Sequence, residues 1–306
     1  MNFLITGGAG SVGRDLTASL LDKGHRVRVL DKRSAGEFPP QVEFLQGSLE
    51  DARLMPQALQ GVDTVVHLAW SFSDDPLQLL QGDLKGHVVL LDACVAAKVA
   101  RLLYASTAVV YGKAVEVPIT EDSPCRVEDA RKPFYAIAKL AAEKLALAYC
   151  SMKGLPVTIL RFWWSFGSRI GGRHLRDMIA TAQAGEPLAV PGGAGGSFLD
   201  HDDLTQALLL AVRQDASVGQ TFNLATFYAE WSDVARMILR VTGSSSALAI
   251  VPARQWKGAQ FLADPWELSI VKAERLLGYR SLFSPSAARQ RLEKAIASYR
   301  EELRAA

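Results

Sequence analysis

The 306-residue sequence contains few cysteines, and its histidines are scattered. Cys94, Cys125 and Cys150 are odd in number and far apart, which excludes a disulfide framework and offers no metal-ligand spacing. The five histidines are equally dispersed and indicate no metal centre. We therefore predict that the protein binds no metal and occupies a reducing compartment, the cytoplasm.

The sequence also lacks an excess of either charge and any long apolar run. Its 34 basic and 32 acidic residues give a net charge of +2, and no basic stretch is present that would attract nucleic acid or an anionic membrane. No segment approaches the roughly 20 apolar residues that cross a bilayer. The apolar residues 1–6 lack the basic region of a signal peptide, so we interpret them as a buried strand. We expect no nucleic acid and no membrane as partner.

The first half of the chain alternates short β-rich runs with longer helical patterns. Hydrophobic residues make up 49% of the sequence and charged residues 22%, which is enough apolar material for a substantial core. Strands are predicted at residues 2–6, 26–31, 42–46, 64–68, 101–106 and 157–162, with helices near 12–23, 51–60, 77–98 and 135–152. Repeated β-α units predict a parallel sheet with right-handed crossovers, an α/β doubly wound (Rossmann) fold.

After about residue 166 the pattern becomes less regular. Glycine-rich turns occur at 171–172 and 192–196, strands are predicted at 187–190, 221–224 and 247–251, and helices near 174–184, 202–213, 231–241 and 268–277. We predict a dinucleotide-binding Rossmann domain over residues 1–166 and a smaller mixed α/β substrate-binding lobe over residues 167–306. The two are expected to interleave as one compact body with a cleft between them.

A glycine-rich turn follows the first predicted strand and opens the first helix. Gly7 permits a tight turn, Gly10 lets a pyrophosphate approach the backbone, and Gly13 lets helix and strand pack closely. The N–H groups at the helix start, where Ser11 and Val12 lie, would hold the phosphates together with the helix dipole. The motif predicts a dinucleotide site.

Asp31 ends the second predicted strand, 18 residues after the last glycine of the turn. A carboxylate at this place accepts hydrogen bonds from a ribose 2′-hydroxyl and repels a 2′-phosphate, which predicts NAD rather than NADP. Lys32 and Arg33 follow directly, and we include Lys32 among the cofactor-binding residues. A cation beside Asp31 could attract the 2′-phosphate instead, or both cations could be solvated loop charges.

Tyr135 and Lys139 are four residues apart and therefore lie on one face of a predicted helix. A free phenol, with a pKa of about 10, is a poor base near neutrality. A nearby lysine ammonium favours the phenolate and lowers the pKa, and the same lysine could hydrogen-bond the nicotinamide ribose. Thr107 follows a strand whose carboxyl end should face the ligand, so it would orient the substrate oxygen that Tyr135 protonates or deprotonates.

Taken together, these motifs resemble those of extended short-chain dehydrogenases/reductases of the NAD-dependent epimerase/dehydratase family. The matching segments are residues 6–13, Asp31, 47–51, 67–69, 106–112, 135–139, 160–162, 202–203 and 272–279. The resemblance implies that Tyr135 is the acid/base, Lys139 its partner and Thr107 the assisting hydroxyl. It also implies that the cofactor is lined by Ser48, Leu49, Leu68, Ala69 and Trp163.

The sequence departs from this family where the substrate is expected. Members that act on nucleotide sugars usually carry an asparagine at the position of Trp164 and an arginine near Gly196-Ser197, and both meet phosphate. Ser48 and Asp83 replace a usual aspartate and asparagine. Trp164 lies in a group of aromatic residues that either pack a core or line a partly apolar substrate site, and we include it among the substrate-binding residues.

Arginines near a predicted helix start offer another way to hold an anionic group of the substrate. Arg173, with Arg169 and Arg176 beside it, could contact a phosphate or carboxylate, although these arginines could equally be solvated in an exposed loop. We include Arg173 among the substrate-binding residues.

These observations favour an enzyme that oxidises a sugar hydroxyl transiently with NAD, most simply a nucleotide-sugar epimerase or dehydratase. The alternative is an NAD(P)-dependent reductase or dehydrogenase of a more apolar carbonyl or alcohol. A non-catalytic dinucleotide sensor is a third possibility, and the intact set of Thr107, Tyr135 and Lys139 argues against it.

Two predicted helices, near residues 84–98 and 135–150, are apolar around nearly their whole circumference. A helix that covers one face of a sheet needs only one apolar stripe. We therefore predict a homodimer in which these helices pair with their copies about a two-fold axis, as the family resemblance also implies.

Overall fold

A seven-stranded parallel sheet forms the centre of the protein in the computed structural model, which describes residues 1–36 and 38–305. Its strand order is β3-β2-β1-β4-β5-β6-β10. The strands of the chain are β1 Asn2–Thr6, β2 Arg26–Asp31, β3 Glu43–Gln46, β4 Thr64–His67, β5 Arg101–Ala105, β6 Val157–Arg161, β7 Trp164–Phe166, β8 Leu188–Gly192, β9 Gly195–Asp200, β10 Gln220–Asn223, β11 Phe227–Glu230, β12 Leu248–Pro252 and β13 Pro265–Trp266. The predicted doubly wound fold is confirmed.

Helices cover both faces of this sheet. The α-helices of the described residues are α1 Ser11–Asp22, α2 Met55–Leu59, α3 Pro76–Gln78, α4 Lys85–Ala96, α5 Pro133–Lys153, α6 Arg173–Gln183, α7 His201–Arg213, α8 Trp231–Thr242, α9 Val271–Leu277 and α10 Pro285–Ala305. Side chains alternate along a strand, so Phe3 and Ile5 of β1 pack with α1, α7 and α9, whereas Leu4 packs with α2, α4 and α5. Each face therefore has its own apolar core.

A smaller lobe lies beside the sheet. It contains β7, β9, β11 and β13 as a second sheet, the parallel pair β8–β12, and helices α6, α8 and α10 around a core that includes Trp231. The predicted boundary at residue 166 does not separate the two sheets. Strand β7 before it belongs to the second sheet, and β10 after it is the seventh strand of the large one.

The predicted helix over residues 77–98 is interrupted. The chain forms α3, then a π-helical turn over Leu79–Leu84, and then α4. A π-helical turn inserts an extra residue and is frequent at functional sites. In this protein it carries Asp83, whose charge acts on Tyr135 and Lys139. Helix α10 and strands β7, β9, β11 and β13 have no counterpart among the predicted elements.

Within the described ranges, no helix combines the length and the apolar character needed to span a membrane.

Candidate active site

The glycine-rich turn connects β1 to α1, and two of its glycines are sterically required. Gly7 has a φ of +70°, and a Cβ there would lie 2.6 Å from the Cα of Ala69. A Cβ on Gly13 would lie 2.4 Å from the Cα of Gly8. Helix α1 begins at Ser11 with Gly10 as its N-cap, and no described side chain caps it. The first N–H groups of α1 are therefore available to a phosphate, as a dinucleotide requires.

Asp31 lies at the end of β2 with its carboxylate buried against the glycine-rich turn. One carboxylate oxygen accepts from the backbone N–H of Ala9 at 2.9 Å, and the other accepts from the backbone N–H of Arg33 at 2.9 Å. The Arg33 guanidinium also contacts both oxygens, at 3.3 and 3.2 Å. Burial raises the pKa of Asp31, but the hydrogen bonds from Arg33 and Ala9 outweigh it and hold the pKa below its ordinary value.

The structure pairs Lys32, which we predicted to bind the cofactor, with Glu50 and not with Asp31. The Lys32 ammonium pairs with Glu50 at 2.8 Å, so Arg33 is the cation beside the Asp31 carboxylate. Ser48 donates to the same Glu50 at 3.2 Å. Leu49 packs against Gly86 of α4, where an added Cβ would lie 3.0 Å from the Leu49 Cβ.

The loop after β4 passes directly over the glycine-rich turn. The backbone N–H of Leu68 donates to the Thr6 carbonyl at 3.1 Å, and that of Ala69 donates to Thr6 Oγ1 at 3.3 Å. These bonds bring Ala69 to the place where it meets Gly7. The structure therefore brings Leu68 and Ala69 together with the predicted dinucleotide site.

The three predicted catalytic residues gather at the carboxyl end of β5. Thr107 follows this strand, and its Oγ1 accepts from the backbone N–H of Val109 at 3.2 Å at the start of a 3₁₀ turn. Lys139 Nζ, reaching across from α5, donates to the Ala105 carbonyl at 2.8 Å and to the Tyr104 hydroxyl at 3.1 Å. Tyr135 lies one helical turn before Lys139, and its side chain is buried.

The pKa values in this region differ from the sequence-based expectation. Burial lowers the pKa of Lys139 to about 7, against the opposing charges of Glu143 and Asp83. We expected the lysine ammonium to lower the pKa of Tyr135, but burial and then the charge of Asp83 raise it instead. In the cofactor-free protein Tyr135 is therefore a neutral phenol, suited to donating a proton.

Residues that sequence reasoning gave no role surround the Lys139 ammonium. The ring centroids of Trp70 and Tyr104 lie 4.4 and 4.6 Å from Nζ, close enough for cation–π contact. Asp83 accepts hydrogen bonds from the backbone N–H of Ser71, at 2.8 Å, and from its hydroxyl. Asp83 stood out in the sequence only as a departure from the family pattern.

A buried ion pair fixes α5 to the sheet one turn beyond Lys139. Glu143 accepts from Arg161 Nε at 2.9 Å and from Nη2 at 2.6 Å, and it also accepts from the Ser106 hydroxyl. Both charged side chains are almost fully buried. Since Ser106 precedes Thr107 and Arg161 ends β6, this bidentate pair sets the position of α5 relative to two strand ends.

Aromatic side chains fill the region between the sheet and the smaller lobe. Trp163 stacks on Trp164 with ring centroids 4.4 Å apart and meets Trp266 edge-on at 4.1 Å. Trp164, which we predicted to contact the substrate, is only 3% exposed, and that contact stays a prediction. A Cβ on Gly196 would lie 2.3 Å from the Trp164 ring. The two departures from the family pattern, at positions 164 and 196, are therefore linked, because the Trp164 ring packs against Gly196.

A cleft of about 560 Å³ adjoins this aromatic group. It is lined in part by Gly112 and Lys113, which follow the 3₁₀ turn after Thr107, and by Arg131 and Phe261. The Arg131 guanidinium lies 4.8 Å from the Phe261 ring centroid and forms no ion pair with any described residue. Sequence reasoning missed Arg131 because it lies in a loop without a motif.

Arg173 begins α6 on the far side of Phe261. Its side chain is largely exposed and lies 3.6 Å from Asp177, while the next residue, His174, stacks at an angle on the Phe261 ring. The charges of Arg131 and Arg173 are close enough for each to oppose protonation of His174. Arg173 therefore remains a candidate for contact with an anionic substrate.

No group of three histidine, cysteine or carboxylate side chains that could hold a metal ion occurs in residues 1–36 or 38–305.

Comparison with known proteins gives consistent matches. The sequence model of the NAD dependent epimerase/dehydratase family matches residues 3–225. The UDP-glucose 4-epimerase of Corynebacterium glutamicum is 29% identical, over 91% of this chain and 90% of that protein. The UDP-N-acetyl-alpha-D-glucosaminuronate decarboxylase of Bacillus cytotoxicus is 30% identical, over 81% and 83%. The dTDP-glucose 4,6-dehydratase of Streptomyces venezuelae, solved with NAD bound, has a TM-score of 0.81 at 25% identity, covering 98% and 97% of the two chains.

Proposed function

Since the chain belongs to the NAD-dependent epimerase/dehydratase family and is an NAD-dependent enzyme, we propose that it acts on a nucleotide sugar by transient oxidation and re-reduction. The observation that carries this proposal is the gathering of Tyr135, Lys139 and Thr107 at the carboxyl end of β5, beside the glycine-rich turn. Ligands bind at this edge of doubly wound sheets.

Each of the three residues has a distinct proposed task. The Tyr135 hydroxyl exchanges a proton with the substrate oxygen, and the Thr107 hydroxyl orients that oxygen. Lys139 uses two of its three N–H bonds on Ala105 and Tyr104, which leaves the third for the nicotinamide ribose. Bound NAD supplies reversible hydride transfer, so the chain's own residues need only position the sugar and move the proton.

We assign the diphosphate of the substrate to the cleft beside Phe261. The cleft lining includes the charged residues Lys113, Asp129 and Asp264. Arg131 also faces the cleft, without an ion-pair partner among the described residues. Arg173 adds a further positive charge nearby. A guanidinium binds a phosphate group through two parallel hydrogen bonds, so this cleft suits a nucleoside diphosphate.

Replacement of Arg131 by alanine is therefore expected to raise KM for a nucleotide sugar by about 10-fold or more, because one charge-assisted contact is worth about 1.5–3 kcal/mol. The value of kcat should change little. Steady-state kinetics of Arg131→Ala and of Arg236→Ala test this expectation. Arg236 pairs with Asp233 on the exposed side of α8 and serves as the control. An unchanged KM in Arg131→Ala would remove Arg131 from the substrate site.

The experiment that tests the function is incubation of the purified protein with UDP- and dTDP-hexoses. Product identity and absorbance at 340 nm are followed together. We expect new product without net NADH, since the hydride is returned within each turnover. Failure of all nucleotide sugars to react would contradict the proposal.

A second candidate function is supported by the aromatic rings near the cleft, where Trp163 stacks on Phe261 and meets Trp266 edge-on. Such a surface suits a more apolar carbonyl or alcohol, reduced or oxidised with net consumption of NAD(H). In the same assay this activity would appear as a stoichiometric absorbance change at 340 nm.

We further propose a cytoplasmic homodimer. Three free cysteines support a reducing compartment. On the outer side of α5, Ile137 is 46% exposed and Met152 79% exposed, and Val88 and Val95 of α4 are only partly covered. Pairing α4 and α5 with their copies about a two-fold axis would bury these side chains.

Light scattering at micromolar concentration is expected to give twice the 33.2 kDa chain mass, and Ile137→Glu should shift the protein toward the monomer. A mass of one chain for the unmodified protein would contradict the dimer.

A further inference from the structure

The Arg33 side chain occupies the hydrogen-bonding capacity that a cofactor ribose would use. Asp31 receives four contacts, from two backbone N–H groups and two guanidinium nitrogens, distributed over both of its oxygens. A ribose hydroxyl that donates to this carboxylate must therefore displace the guanidinium. The Arg33 guanidinium and the cofactor ribose therefore compete for the Asp31 carboxylate.

The position of the guanidinium relative to the glycine-rich turn supports this competition. A Cβ built on Gly10 would lie 3.5 Å from Arg33 Nη2, so the guanidinium lies over the turn that a pyrophosphate must approach. Arg14 connects the loop that carries Arg33 to the glycine-rich turn, because it donates to the carbonyls of Ala9 and Ala35 at 3.3 Å. The Arg33 side chain is nevertheless 63% exposed, so most of it borders solvent.

We propose that Arg33 determines cofactor selectivity by two opposite effects. While Arg33 is paired with Asp31 it lowers the affinity for NAD, because the ribose must break this ion pair to reach the carboxylate. When a 2′-phosphate is present, the displaced guanidinium lies beside it and offers a planar, two-pronged donor that matches a phosphate. The site therefore discriminates only weakly against NADP, although a carboxylate ends β2.

The adjacent cation does not share this role. The Lys32 ammonium is engaged by Glu50 at 2.8 Å on the other side of the loop, next to Ser48. Lys32 has the same charge, a neighbouring position and nearly the same exposure as Arg33. Lys32→Ala is therefore a matched control for the loss of one positive charge near the ribose.

Titration calorimetry on protein freed of bound dinucleotide tests the proposal. We expect Arg33→Ala to bind NAD about 2- to 5-fold more tightly, because an exposed ion pair worth up to about 1 kcal/mol no longer has to be broken. The same variant should bind NADP at least about 10-fold more weakly, because a charge-assisted phosphate contact is lost. Arg33→Lys should retain part of the NADP affinity, and Lys32→Ala should stay within 2-fold for both.

Three results would overturn the proposal. NADP affinity of the unmodified protein more than 1,000-fold below NAD affinity would show that Asp31 excludes the phosphate regardless of Arg33. Weaker NAD binding by Arg33→Ala would show that the arginine assists the dinucleotide. A loss of NADP affinity in Lys32→Ala equal to the loss in Arg33→Ala would show that only the net positive charge matters, and not the position of Arg33.

Discussion

Replacement of Tyr135 by phenylalanine is expected to lower kcat by about 10²–10⁴-fold, the usual contribution of a positioned proton donor or acceptor. The substitution removes one oxygen and keeps the ring, which is buried and stacked at 6.0 Å against Phe72. The backbone N–H of Tyr135 still donates to Asp74, which fixes the start of α5. The loss of rate should therefore come from chemistry and not from misfolding.

Affinity for NAD separates this expectation from a structural effect. The Tyr135 hydroxyl makes no hydrogen bond within the described part of the chain, so Tyr135→Phe should bind NAD within a few-fold of the unmodified protein. Tyr149→Phe serves as the control, because Tyr149 lies on the same helix and donates to Asp92 far from the site. Near-normal turnover in Tyr135→Phe would remove this residue from the mechanism.

The strands and the glycine-rich turn could be predicted because their signals are local. Strand β1 is apolar on both faces and meets two cores, so Leu4 and Ile5 give a continuous apolar run. Gly7 and Gly13 are required by contacts with neighbouring segments that any such turn makes. These features depend on short stretches of chain, and the predicted strand ends agree with the structure to within one or two residues.

The side chains around the site could not be predicted, because their partners are far away in the sequence. Trp164 is buried only because Gly196 leaves room for its ring, 32 positions later. Which of Lys32 and Arg33 pairs with Asp31 depends on Glu50, because Lys32 pairs with Glu50 and Arg33 pairs with Asp31. The matching segment at 202–203 likewise has distant partners. Asp200 caps α7, and Asp203 binds Ser281 and Leu282 near the C-terminus.

Replacement of Lys139 by methionine is expected to abolish turnover. It should also make the folded state more stable relative to the unmodified protein, and this gain should grow as the pH falls from 10 toward 7. Burial lowers the pKa of the folded-state lysine to about 7, whereas the unfolded chain keeps a pKa near 10.4. Between these values the unfolded state binds the extra proton, so the lysine destabilises the fold more at lower pH. The cost levels off below about pH 7.

Denaturant unfolding of the cofactor-free protein at pH 7 and pH 9.5 measures this effect as a difference between variant and parent. The lost bonds to Tyr104 and Ala105 lower the variant's free energy of unfolding equally at both pH values, so they cancel in the comparison. A difference that shifts by roughly 2–4 kcal/mol in favour of Lys139→Met at pH 7 fits a depressed pKa. A pH-independent difference would mean that the ammonium is fully solvated or fully paired.

Enclosure of the Lys139 ammonium by Trp70 and Tyr104 argues against solvation, and the Glu143 carboxylate is already paired with Arg161. The lysine is thus held at the expense of stability where its charge can serve the reaction.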